Sequence, residues 1–160
     1  MPERTCLLVL ALLAAPLSVA AESSSQFSSD VTSLSHTAPG FNVEVILTSR
    51  LLKSVDVIPD AEPGQFPEAF RVVRSLKVKV NGRDIFVPHS VYADLVWVRT
   101  AELTAAKSKC SLTVTGGDAS ESYHVRIEFD AKAVRSRSLY SGLIPDKPLE
   151  QTRYFLRVLN

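Results

Sequence analysis

Residues 75–87 read SLKVKVNGRDIFV, and no other stretch limits the fold so tightly. Asn81-Gly82 sits between two runs in which apolar and polar side chains alternate. A two-residue type I′ turn needs positive φ at both central positions, which Asn-Gly tolerates best. Such a turn pairs Val80 with Arg83, Lys79 with Asp84, Val78 with Ile85 and Leu76 with Val87. The apolar pairs then share one face and Lys79–Asp84 takes the other. A slip of one residue would turn the apolar set into water, so the register is well specified.

The same period of two recurs along the chain. FNVEVIL (41–47) sets Phe41, Val43, Val45 and Leu47 on one side. WVRTAEL (97–103) does so with Trp97, Ala101 and Leu103, CSLTV (110–114) with Cys110, Leu112 and Val114, and YHVRIEF (123–129) with Tyr123, Val125, Ile127 and Phe129. TRYFLRVL (152–159) opposes Tyr154, Leu156 and Val158 to Arg153, Phe155 and Arg157. SVDVI (54–58) and VRSRSLY (134–140) are weaker candidates. PDAEPGQFPE (59–68) and SGLIPDKPL (141–149) read as loops by their breakers. His89–Leu95 is long enough for one helical turn after Pro88, with Ser90 as its N-cap. No amphipathic helix of ten residues or more is present. The pattern predicts an all-β fold: an antiparallel β-sandwich or open barrel of about eight or nine short strands, with little helix.

The ends of the chain read differently. MPERTCLLVLALLAAPLSVAA has a basic residue near its start, an apolar run from Cys6 to Ala15, a break at Pro16 and a small-x-small site at Ser18-Val19-Ala20. That is the anatomy of a secretory signal peptide over residues 1–21, cut after Ala20 or Ala21. The run is shorter than the roughly 20 residues of a membrane span. A secreted or periplasmic protein is expected. Residues 22–40 hold seven serines and apolar residues at no strand period, which predicts a Ser-rich flexible linker. Residues 41–160 then form a single β-rich domain. Net charge is +1, so a nucleic-acid partner is not expected. Beyond the leader there is one cysteine, Cys110, with no internal partner. Its strand position predicts a buried thiol; an intermolecular disulfide would require exposure.

The run GGDASESYHVRIEF (116–129) holds the densest chemistry. Ser120 or Ser122 as nucleophile, with His124 and Asp118, would make a small serine hydrolase, since acyl transfer needs a nucleophile bonded to an oriented base. Against this, no G-x-S-x-G elbow occurs, and His124 falls on the polar side of a strand. The plainer reading is a turn: glycines for φ freedom, Asp118 for a local bond and serines for solvation. Asp118, Ser120 and Glu121 offer too few oxygens for a dedicated calcium site. His36, His89, His124 and Cys110 lack zinc-ligand spacing. No metal and no cofactor are implied.

Arg126, Arg135, Arg137, Arg153 and Arg157 all lie in candidate strands. Their polar faces could join into a cationic patch for an anionic ligand such as a phospholipid head group, a polysaccharide or an acidic protein. Glu128, Asp130, Asp146 and Glu150 could equally neutralise them across strands. Phe155, between two arginines, would need a second copy of the chain or another sheet to cover it. The blocks VNGRDIFVPHSVYADL, GGDASESYHVRIEFD and RSLYSG together resemble a family of uncharacterised exported bacterial proteins, over roughly residues 72–158. The resemblance implies a bacterial periplasm or cell exterior and carries no activity, ligand or site residue. The reading is a non-enzymatic exported β domain that binds a macromolecule or envelope component. Its contacts would lie in the 116–122 loop including Asp118, the 88–95 turn with His89 and Tyr92, and the arginine strands. A hydrolase using the 116–124 loop, and a structural subunit of an envelope assembly, are the alternatives.

Overall fold

The computed structural model describes residues 21–53, 69–106 and 109–156. The described residues form ten strands: β1 (Ala21–Gln26), β2 (Val31–Ala38), β3 (Phe41–Lys53), β4 (Ala69–Val80), β5 (Arg83–Ile85), β6 (Val98–Ala106), β7 (Lys109–Gly116), β8 (Tyr123–Phe129), β9 (Val134–Ser141) and β10 (Pro148–Arg153). Two single 3₁₀ turns, His89–Val91 and Ala119–Glu121, are the only helical elements among them. One sheet has the order β1-β6-β7-β8-β9-β10 and the other β2-β3-β4-β5. Every neighbour pair is antiparallel. The molecule is an all-β, sandwich-like fold.

The Asn81-Gly82 hairpin forms in the expected register: Val80 faces Arg83, Lys79 faces Asp84 and Val78 faces Ile85. Both turn residues have positive φ, 51° and 75°. The turn is also tied to β3, because Asn81 N–H donates to the Asn42 carbonyl (2.7 Å) and Asn42 N–H donates to Asn81 Oδ1 (2.8 Å).

The core follows the alternation. Val43, Val45 and Leu47 of β3 meet Cys110, Leu112 and Val114 of β7 and Val125, Ile127 and Phe129 of β8 in one buried cluster. Four bulges interrupt the ladders of the described strands; one, at Leu149, lies in the exposed last strand, and the other three change the phase of the core. Arg74 in β4, Arg99 in β6 and Arg135 in β9 are each the extra residue opposite a neighbour strand. A bulge residue leaves the ladder and resets which side chains point inward. Buried residues therefore lie three apart across each one: Val73 and Leu76, Val98 and Ala101, Val134 and Arg137. This corrects the expectation for 97–103, where Val98 and not Trp97 takes the inward position.

Residues 22–40 are not a linker. They supply most of β1 and all of β2, each paired along its whole length, to β6 and β3 respectively. Backbone ladders need no apolar side chains, and the period-two signal is hidden because Thr32, not an apolar residue, is buried two places before Leu34. Phe27, between the two strands, is buried at the point where the chain passes from one sheet to the other. The last strand starts earlier than expected, at Pro148, and ends at Arg153. Its ladder is set by Ser138 and Arg137 facing Gln151 and Thr152. Phe155 follows it, 87% exposed. Pro88, not Ser90, holds the N-cap position of the first 3₁₀ turn, and the Ser90 hydroxyl lies 3.4 Å from that of Tyr154. Residues 1–20, which are all but the last of the expected signal peptide (1–21), the candidate strand 54–58, the loop 59–68 and Arg157 lie outside the described residues. Among the described residues no helix is long and apolar enough to cross a membrane.

Candidate functional site: a cleft at one end of the two sheets

Between the sheets, at one end, lies a cleft of about 270 Å³. Its walls come from both sheets. Leu51 of β3 and Ala69, Phe70 and Arg71 of β4 form one side, while Trp97, Val98, Arg99, Gly117 and Asp118 form the other, with Phe27 at the crossing between sheets. The segment before β6 is stitched to β4: Val73 N–H donates to the Leu95 carbonyl (2.9 Å) and Val96 bridges to Val72. That stitch brings Trp97 against Phe70, with ring centroids 5.8 Å apart and planes at 68°.

Backbone strain gathers here. Among the described residues, three that are not glycine have positive φ. Asn81 is explained by its turn. The other two, Trp97 (55°) and Ala119 (41°), stand on the two loops that border the cleft. A bulky residue in the left-handed region is rare and is held there by its surroundings. Gly117 N–H donates to the Trp97 carbonyl (3.2 Å), and Phe27 N–H donates to the Arg99 carbonyl (2.9 Å).

The charges are paired. Arg71 Nη1 donates to Asp30 Oδ1 (2.9 Å) and to the Ser49 hydroxyl (3.2 Å). Arg99 Nη2 lies 2.8 Å from Asp118 Oδ1, and both side chains are well exposed. Asp118 Oδ1 also accepts from Ala119 N–H (2.9 Å), which caps the short turn that follows.

The two glycines that open GGDASES are structural. Gly117 has φ 75°, and a Cβ there would stand 2.1 Å from the Glu121 carbonyl oxygen. A Cβ on Gly116 would enter the Tyr123 ring. Tyr123 needs that space because its hydroxyl donates to the Val96 carbonyl (2.5 Å). Burial, with Asp94 adding to it, pushes this phenol well above the usual tyrosine range.

The sequence-predicted catalytic residues do not come together. Asp118 lines the end cleft. Ser120 and Ser122 line a second cleft of about 340 Å³ with Asp94, Tyr123, Arg137 and Leu139. His124 lies on the outer face of the larger sheet, stacked on Tyr140 at 4.5 Å and 8°. Burial, then the Arg126 charge, lowers its pKa. No side-chain hydrogen bond joins Asp118, Ser120, Ser122 and His124 among the described residues.

The arginines are likewise scattered. Arg126 sits 5.5 Å from the Tyr140 ring centroid on the outer face. Arg135 Nε donates to Asp130 Oδ2 (2.7 Å). Arg153 is exposed on the strand edge beside Ser136. Arg137 is turned to the inner face and only 3% exposed, with Nη2 2.6 Å from Asp94 Oδ2 and Nε donating to the Val91 carbonyl (3.2 Å). Its burial takes Arg137 out of any exposed cationic face. His89 and Tyr92 pack edge to face on each other at 5.2 Å.

Sequence reasoning missed Phe27, Phe70, Arg71 and Arg99 as cleft residues and gave Trp97 to the core. The one usable signal was that Trp97 is the chain's sole tryptophan and stands between two valines. The chain matches no protein-family model, and no curated protein or solved structure is significantly similar to it.

Proposed function

We propose that this protein is an exported binding module, and that its end cleft receives one ring of a hydroxyl-rich polymer, a glycan of the cell envelope, without chemical turnover. The observation that carries this reading is Trp97. It is held at positive φ beside Phe70, within a rim of paired guanidinium and carboxylate groups. Ligand sites combine apolar and aromatic walls with a few placed polar groups. A sugar ring matches such a wall on both counts. Its C–H face lies against aromatic rings, and its hydroxyls accept from guanidinium and donate to carboxylate. The cleft is slightly smaller than the roughly 300–1,000 Å³ of drug-sized pockets, which suits one ring of a longer chain rather than a whole small molecule. Because Arg99 and Arg71 are already paired with Asp118 and Asp30, the site favours a neutral ligand over an anion.

The sole tryptophan makes the test direct. Neutral β-linked oligosaccharides and soluble peptidoglycan fragments are titrated into the protein while its emission is recorded. A saturable shift is expected, together with a loss of binding in Arg99→Ala. An emission spectrum that stays constant across both ligand sets would end the proposal.

A further inference from the structure

β1 is an edge strand of the larger sheet, and its side chains do little to hold it there. In its register Ala21 faces Ala105, Ser23 faces Leu103 and Ser25 faces Ala101. Those three partners are all buried in the core. The inward positions Ser23 and Ser25 of β1 therefore hold hydroxymethyl groups where β7 and β8 hold leucine, valine, isoleucine and phenylalanine. Ser23 and Ser25 are half-buried. The only side-chain hydrogen bond made by β1 among the described residues stays within it, from Ser25 to the Gln26 carbonyl at 3.5 Å. On β2, which packs beside β1, the buried Thr32 hydroxyl has no hydrogen-bond partner. This corner of the sandwich thus loses little apolar contact when it opens. The groove that opening would expose is specific: β6 presents Ala101, Leu103 and Ala105 in a small–large–small row beside a free ladder edge. Sheet edges of this kind accept an added strand through backbone bonds, with specificity set by alternate side chains.

The geometry points to β1 as an exchangeable strand, replaced on β6 by an extended segment of a partner polypeptide. That segment carries apolar side chains at the Ser23 and Ser25 positions and polar ones at the Glu22, Ser24 and Gln26 positions. The proposal is independent of the end cleft and of any glycan.

The probe is a fluorescein-labelled peptide copying residues 21–30 with Ser23→Val and Ser25→Val. The control is a lock on the outer face, Glu22→Cys with Thr104→Cys, since these residues are direct cross-strand partners at a separation a disulfide spans. Saturable peptide binding is expected to the wild-type protein and to the reduced double variant, with loss of binding on oxidation and recovery on reduction. Hydrogen exchange is expected to be far faster at β1 amides than at those of β7. The absence of binding to the reduced protein, binding that persists in the oxidised lock, or β1 amides protected as well as those of β7 would each overturn the proposal.

Discussion

Cys110 shows how a residue's role follows from its address. It faces Phe129 across β7 and β8, and it is buried. A thiol in apolar surroundings behaves as a small hydrophobe and resists ionisation. Burial first, then the nearby Asp130 charge, pushes its pKa from 9.0 to about 11. The sign follows by linkage. The folded state holds the proton where the unfolded state has released it, so this contribution is fully present below pH 9 and is lost as pH rises toward 11. A thiol-reactive chromogenic disulfide at pH 8 should leave Cys110 unlabelled in the native protein and label it when the protein is denatured. Rapid native labelling would contradict the burial. The inward alternation of CSLTV made this legible from sequence. Arg137 was not legible, because strand parity places it with the wet side chains. Only the bulge at Arg135 reverses that parity, and nothing in the local letters announces it.

Elements divide in the same way, by whether the signal is local. The Asn81-Gly82 hairpin could be read off to the residue, since turn type, register and face all depend on adjacent letters. The GGDASES turn was equally legible as a turn. The end cleft was not, because Phe70 and Trp97 meet through a stitch between residues far apart in the chain. β1 and β2 were missed since serine carries no period that marks a strand, although its backbone pairs as well as any other. The two turns also allow a controlled comparison. Gly82 and Gly117 share φ 75°, yet a Cβ on Gly82 meets open space and one on Gly117 meets the Glu121 backbone. Gly82→Ala therefore carries only the left-handed penalty, about 1–2 kcal/mol. Gly117→Ala adds a backbone collision and should lower stability by a further ~1–2 kcal/mol, within the range of strained special-φ sites. Urea denaturation of both variants measures the difference. Equal midpoints would mean that the 117–122 turn is free to shift.

At the scale of the whole molecule, the two sheets are unequal, six strands against four. The smaller sheet ends at β5, a strand of three residues, so part of the larger sheet's inner face has to be covered by something else. The segment after Pro88 contributes to that cover. Val91 and Leu95 within it are fully buried, and its carbonyl and carboxylate groups take up the Arg137 guanidinium, through Val91 O and Asp94. A buried arginine is tolerated there because its donors are met on the spot, whereas removing its partners would leave it uncompensated. Leu95 is the joint between these parts. Its carbonyl holds Val73 of β4, its side chain fills the core, and its neighbour Asp94 pairs with Arg137. Leu95→Ala should lower stability by about 2–5 kcal/mol, the range for emptying a well-packed leucine site. Because the same segment closes over β9, the loss should not be spread evenly. Amides of β9 are expected to lose hydrogen-exchange protection by more than those of β3, on the far side of the sandwich. If the segment were only a loop laid over a finished core, Leu95→Ala would instead weaken β3 and β9 alike, and Arg137 would need another explanation for its burial.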